Sequence, residues 1–103
     1  MYKRQVPDEK VIAWASANAP VPIFAFWDFA VGEGKTIGGY VLNGRDQGLA
    51  GGQIVSEILS GVAPAEIPPR SAKEGSYKFS IHEMTRFGIV LPQKIREQAV
   101  LVP

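Results

Sequence analysis

The order of apolar and polar residues along the chain predicts helices and strands in alternation. A proline and two acidic residues at positions 7–9 are typical of a helix start, and an apolar stripe follows, so a helix is predicted from there to about Asn18. Residues 21–27, VPIFAFW, form a continuous apolar run bounded by proline and aspartate, which predicts a buried strand of a parallel sheet. A second strand is predicted at residues 36–43, TIGGYVLN.

Beyond Gly44 the spacing of apolar residues becomes helical. A helix is predicted from about Asp46 to Ser60, with Gly61 in the place of a C-terminal cap. The pair Gly51–Gly52 is costly inside a helix, so we expect another backbone to pack closely there. Shorter elements complete the chain: a strand at 77–81, a helix at 82–88, a helical turn at 92–98 and an apolar ending at 99–102. This alternation predicts the α/β class, and so thin a sheet favours a piece of a larger protein.

Composition removes several classes of partner and chemistry. The chain has 103 residues and is 46% hydrophobic and 20% charged, as expected of a folded protein. Lysine and arginine number 11 against 10 acidic residues, and no basic cluster interleaves with aromatic residues, so we expect no nucleic-acid partner. The lack of cysteine excludes disulfides, thiolate zinc sites and cysteine nucleophiles. No apolar run reaches the length of a membrane span.

The first five residues are interpreted separately from the rest of the chain. Residues 2–5, YKRQ, are what the end of a common transposase sequencing adapter encodes, so we interpret residues 1–5 as a sequencing-adapter or cloning scar. The alternative is a natural basic N-terminus. If the scar interpretation holds, the protein begins in mid-fold at about Val6, and the absence of a signal peptide says little about its location.

The segment FWDFAVGEGKT, residues 26–36, ends in the last three letters of a nucleotide-binding P-loop. That motif needs a glycine five residues before Gly34, where backbone amides wrap phosphates, but Phe29 stands there. It also needs a helix to begin at Lys35, whereas β-branched residues and a glycine pair follow. We therefore expect a turn at 32–34 that leads into a strand.

Trp27 and Asp28 stand at the carboxyl end of the first predicted strand, where open α/β sheets bind ligands. An indole offers a flat wall and a carboxylate can orient an amine or hydroxyl. The alternative is a capping aspartate beside a surface tryptophan. Asn43 ends the second strand and would lie near Asp28 if the strands are neighbours, although either Asn43 or Asp46 is expected to cap the following helix.

The remaining candidate residues are not expected to bind a ligand or a metal or to take part in catalysis. Phe24 is expected in the sheet core, and His82, which has no partner at metal-ligand spacing, is expected to be a surface or capping histidine. No nucleophile elbow, HExxH motif or paired-carboxylate motif is present. We therefore predict no catalytic residue, no metal site and no cofactor.

The order of elements resembles that of a known family. The segments that carry the resemblance are PIFAFWDF, a glycine turn, TIGGYVLNGRDQGLAGGQIVSEILSG, AEIPP, YKFSIHEMTRFGIVLP and IREQAVLV. Together they resemble the C-terminal part of the ABC-transporter substrate-binding protein family with the type I periplasmic-binding fold. The resemblance covers nearly all of residues 7–102, and its most specific section is Asn43–Gly61. Similar domains also occur as extracytoplasmic sensor parts of histidine kinases.

This resemblance implies two lobes, each a parallel sheet flanked by helices, that close over a small ligand. Residues 6–43 would form part of the C-terminal lobe, 44–80 the hinge crossing and a helix of the opposite lobe, and 81–103 a C-terminal crossing tail. The hinge would lie near residues 43–45. The ligand-binding residues would be Trp27, Asp28 and Asn43.

The implied function is that of a non-enzymatic, extracytoplasmic solute-binding protein. Its partners would be a small-molecule ligand, such as an amino acid or another small organic solute, and an ABC permease subunit. The location would be periplasmic, with membrane association only through a missing N-terminal signal or lipid anchor. The alternatives are the ligand-sensing input domain of a transmembrane sensor histidine kinase and, from another class, a P-loop nucleotide-binding enzyme.

Overall fold

A computed structural model describes residues 6–70, 72 and 75–103. The helices are α1 (Asp8–Asn18), α2 (Gly44–Leu59), α3 (Ile81–Phe87) and α4 (Gln93–Gln98), and the strands are β1 (Gly38–Val41), β2 (Ser76–Ser80) and β3 (Val100–Val102). The interpretation of residues 1–5 as a scar lies outside the described residues.

The helix ends follow local sequence signals. α1 begins after Pro7 and ends two residues before Pro20, as predicted. α3 begins at the cap Ser80, whose hydroxyl accepts a hydrogen bond from the Glu83 amide, and closes at Gly88, which is left-handed with φ 67°. These signals act within one or two turns of chain, which is why the sequence predicts them well.

The sheet is mixed, in the order β1-β2-β3. β1 and β2 run antiparallel, whereas β2 and β3 run parallel. The α/β class is confirmed, but the prediction of a parallel sheet is wrong for β1 and β2. Two successive parallel strands need a crossover that returns over the sheet, and α2, the helix between β1 and β2, buries no residue against it.

The apolar run at 21–27 does not form a continuous strand. It lies parallel to β1 through isolated bridges at Phe24, with Gly38, and at Trp27, with Leu42. The β1 side holds one residue more than its partner between these bridges, so the ladder is interrupted as in a bulge. Phe24 is 63% exposed and Phe26 64% exposed. The expectations of a buried strand and of a core position for Phe24 are therefore wrong in this chain.

The core is small and lies where the glycine turn meets the central strands. Its buried apolar residues are Ala30, Val31, Ile37, Val41, Phe79 and Leu91. The radius of gyration is 17.7 Å, whereas a compact domain of this length has about 13 Å. The chain is therefore spread out, with extents of 53 × 46 × 17 Å.

α2 takes no part in this core. No residue of α2 is buried, and Leu59 is 83% exposed. Its described contacts include the connection that follows it, where Arg70 forms an ion pair with Glu57 (2.8 Å). No heavy atom outside the local backbone lies within 4 Å of a Cβ placed on Gly51 or Gly52. The expected close approach of another backbone to this pair does not occur among the described residues.

Among the described residues, no helix combines the length and the apolar character that a membrane crossing requires.

Candidate functional site

The structure brings the backbones of the three predicted site residues together. The Asp28 amide donates a hydrogen bond to the Leu42 carbonyl (3.0 Å), and the Leu42 amide donates to the Phe26 carbonyl (2.9 Å). Trp27–Asp28 and Leu42–Asn43 therefore lie side by side at the carboxyl ends of two adjacent parallel segments. The expected adjacency is confirmed, and it occurs at the kind of edge where α/β sheets bind ligands.

The Trp27 and Asp28 side chains are open to a partner. Trp27 is 38% exposed, and its ring packs edge-on against Phe26 with ring centroids 5.4 Å apart. Asp28 opens a short 3₁₀ turn at Asp28–Ala30, but its carboxylate makes no hydrogen bond or ion pair with another described residue. The alternative of a capping aspartate is therefore not realised, since a cap requires a side-chain hydrogen bond to the turn.

Asn43 also caps the following helix. Its Oδ1 accepts a hydrogen bond from the Asp46 amide (2.8 Å), and its Nδ2 donates to the Asp46 carboxylate (2.8 Å). Asn43 is thus the N-cap of α2, one of the two capping residues that the sequence left open. Because the side chain is half-buried and held by the helix, any contact with a ligand would also affect where α2 begins.

Lys78 also lies at this site, and it was not among the site residues predicted from the sequence. Its ammonium donates a hydrogen bond to the Asp28 carbonyl (3.1 Å) from the middle of β2. A signal was available: Lys78 alternates with the aromatic residues Tyr77 and Phe79, which marks a charged residue in a short central strand. The order of the strands could not be predicted from the sequence. Only the structure shows that β1 alone lies between β2 and the segment that ends at Asp28.

The glycine turn differs from a phosphate-binding loop. The chain after Lys35 passes through Thr36 and Ile37 directly into β1, so no helix begins at the lysine. The Gly34 amide, which a P-loop would offer to phosphate, donates to the carboxylate of Glu83 (3.2 Å). An acidic group occupies the place that an anion would need, so the geometry opposes the nucleotide-binding alternative.

Glu83 is the centre of a buried polar network. It is 1% exposed, and its carboxylate accepts hydrogen bonds from Arg86 Nη1 (2.7 Å), the Gly34 amide and the Ser16 hydroxyl (3.4 Å). Arg86 also donates to the carbonyl of Ser16 (3.0 Å). Since burial of a charge requires such partners, this network joins α1, the glycine turn and α3.

His82 lies at the edge of this network, as a surface residue in agreement with the sequence. Its two ring nitrogens are each 3.6 Å from a carboxylate oxygen, one of Glu33 and one of Glu83. Within the described residues, no group of three or more His, Cys, Asp or Glu side chains is arranged to hold a metal ion.

Two cavities lie away from Trp27 and Asp28. One of about 170 Å³ is lined mainly by apolar residues of α3, the segment before α4, and β3. Another, of about 360 Å³, is lined by Tyr40, Gly75, Ser76, Tyr77 and Gln98. Neither cavity includes a predicted site residue.

An α/β structure that gathers an aromatic and several polar side chains at the carboxyl ends of adjacent segments is typical of a ligand-binding domain. The family described as ABC transporter substrate binding protein matches residues 8–102, and the chain belongs to that family. Comparison with curated proteins and with solved structures found no match. Members of the family in general bind small molecules, work with an ABC transporter, are not enzymes and are typically extracytoplasmic.

Proposed function

We propose that this chain is the C-terminal part of an extracytoplasmic solute-binding protein with the type I periplasmic-binding fold. It captures a small organic solute, such as an amino acid, between two lobes and presents it to an ABC permease subunit. The observation that carries this proposal is the side-by-side placement of Trp27–Asp28 and Leu42–Asn43, in a chain whose family match covers residues 8–102.

The exposure of α2 supports the division into lobes. In this proposal residues 6–43 form part of the C-terminal lobe and α2, within residues 44–80, belongs to the opposite lobe, while β2 and β3 lie in the same sheet as β1. An amphipathic helix without a single buried residue needs a covering surface, and the opposite lobe supplies one. The hinge falls at residues 43–45, where the sheet segment ends and the helix cap begins.

In this proposal the binding cycle is an equilibrium between open and closed forms. The Trp27 indole forms a flat wall for the solute, and the Asp28 carboxylate accepts hydrogen bonds from it. Asn43 contacts the solute beside the hinge. A solute that touches both lobes stabilises the closed form, which the permease recognises, and no bond of the solute is made or broken.

The site of action in this proposal is the periplasm or another extracytoplasmic space. Membrane association comes only through an N-terminal signal or lipid anchor. No feature of the described residues favours a kinase sensor over a transporter component.

The test uses the full-length protein and starts with a thermal-shift screen of amino acids and small organic solutes, because a ligand that binds the folded state raises its Tm. Calorimetry with the solute found is then repeated on Trp27→Ala and Asp28→Ala. We expect each substitution to weaken affinity about tenfold or more, since an aromatic wall or a charged hydrogen bond is typically worth more than 1 kcal/mol.

Trp14→Ala is the matched control. This tryptophan is exposed on α1, so its substitution is expected to leave the affinity for the solute unchanged. Unchanged affinity after both Trp27→Ala and Asp28→Ala would show that the site assignment is wrong.

A further inference from the structure

We infer that Lys78 is a further specificity-determining residue of this site and that it selects a solute with an anionic group. This inference rests on the proposed function and adds a charge preference to it. Neither Trp27 nor Asp28 alone implies such a preference, because an indole and a carboxylate favour aromatic and cationic groups.

The first argument is the placement of Lys78. In the sheet register it lies directly opposite Gly39, and its ammonium reaches 3.1 Å from the carbonyl of Asp28. Asp28 follows the segment on the far side of β1, so the lysine side chain extends across β1 to the edge that carries Trp27 and Asp28.

Gly39 makes this reach feasible. Directly opposed residues of an antiparallel pair direct their side chains to the same face, and Gly39 has none to obstruct the lysine. Its φ of 154° favours glycine, and a Cβ added there would lie 2.9 Å from the carbonyl of Ala25. The same glycine therefore lets the segment before Asp28 approach β1 and leaves the path of Lys78 open.

The second argument concerns charge. An ammonium group has three donors, and a single hydrogen bond, to the Asp28 carbonyl, is found for Lys78 among the described residues. The Asp28 carboxylate and the Lys78 ammonium do not form an ion pair within 4 Å among the described residues, so neither charge neutralises the other by direct contact. Lys78 is a half-buried residue, and a hydrogen bond to an anionic group is stronger there than at an open surface.

The test uses the full-length protein labelled with 5-fluorotryptophan, with the Trp27 resonance assigned by comparison with Trp27→Phe. Three probes share one aromatic part and differ in charge: 3-phenylpropionate, 3-phenylpropionamide and 3-phenylpropylamine. Each is titrated at constant ionic strength, because exposed charges are screened by salt, and Kd is taken from the shift of the Trp27 resonance.

We expect the anion to bind about tenfold more tightly than the amide, as for one charge-assisted hydrogen bond. Lys78→Met is expected to abolish this preference, and Lys78→Arg is expected to keep it. Lys78→Gln is a second neutral variant should Lys78→Met lower stability, and circular dichroism checks the fold of each. Lys94→Met, which removes the same charge from an exposed position on α4, is expected to change nothing.

Two outcomes would overturn the inference and are distinguishable. If all three probes shift the Trp27 resonance but the anion is not preferred, or its preference survives in Lys78→Met and Lys78→Gln, Lys78 does not set specificity while the solute site stands. If no probe shifts the Trp27 resonance at any concentration, the inference fails together with the proposed site.

Discussion

α3 and α2 are opposite cases of helix formation in one chain. α3 has 7 residues, is capped at both ends and contains the buried Glu83, which joins it to α1 and to the glycine turn. α2 has 16 residues, a capped start and an apolar stripe, yet none of its residues is buried. The shorter helix is held by buried tertiary contacts, whereas the longer one makes, among the described residues, its cap and polar contacts to the connection that follows it.

The difference shows that length and amphipathicity predict that a helix exists but not what covers it. An apolar stripe stabilises a helix only when a surface buries it, and most of the stability of protein helices comes from such packing. In the proposed function that surface belongs to the opposite lobe. The predictions below test whether the two regions differ in this way.

The largest expected effect is that of Gly38→Ala in β1. The φ of Gly38 is 135°, and an added Cβ would clash with the Lys78 carbonyl. Backbone strain costs about 1–3 kcal/mol and overpacking about 1–3 kcal/mol, so we expect a loss of roughly 4 kcal/mol in the free energy of unfolding. Urea unfolding of the full-length protein measures it, and a loss below about 1 kcal/mol would contradict the close β1–β2 contact.

Gly51→Ala in α2 is the matched substitution in the other region. Among the described residues a Cβ at Gly51 meets nothing within 4 Å, so in urea unfolding of the full-length protein alanine is expected to stabilise the fold by about 0.5–1 kcal/mol through helix propensity. If Gly51→Ala destabilises the full-length protein instead, a neighbouring surface covers α2 there, as the glycine pair suggested from the sequence.

The second largest expected loss of stability is that of Glu83→Ala, in the network that holds α3. Glu83→Ala leaves the Gly34 amide, the Ser16 hydroxyl and the Arg86 guanidinium without their shared acceptor. Loss of one partner of a buried pair costs about 3–5 kcal/mol, and because the Arg86 side chain is 36% exposed we expect about 3 kcal/mol.

Urea unfolding checks this value, with Glu97→Ala on the exposed side of α4 as the control that removes the same side chain. Equal midpoints for Glu83→Ala and Glu97→Ala would mean that the network contributes nothing to stability.

A smaller loss of stability is expected at the junction of the two regions. Asn43→Ala removes the cap of α2 and is expected to cost about 1 kcal/mol, whereas Asn43→Ser and Asn43→Asp retain most of the stability. Circular dichroism and urea unfolding measure this. If solute affinity falls in Asn43→Ser while stability is kept, Asn43 contacts the solute. If solute affinity falls only where stability also falls, Asn43 acts only as the helix cap.

The candidate site was predictable in part. The position of Trp27 and Asp28 at a strand end and of Asn43 before a helix follows from local patterns, and the structure places their backbones together. Lys78 could not be found in this way, because it lies 50 residues from Asp28 and reaches it only through the strand order. The Glu83 network was missed for the same reason, since its partners come from three separate segments.

By itself the sequence determined the local elements: α1 between Pro7 and Pro20, the glycine turn, a cap of α2 at Asn43 or Asp46 and the end of α3 at Gly88. Capping, proline geometry and glycine conformations act over a few residues, so the chain encodes them locally. Only the tertiary structure decided that β1 and β2 run antiparallel, that Phe24 is exposed and that α2 buries no residue. These features depend on which distant segments meet, because burial and strand direction are properties of contacts rather than of residues.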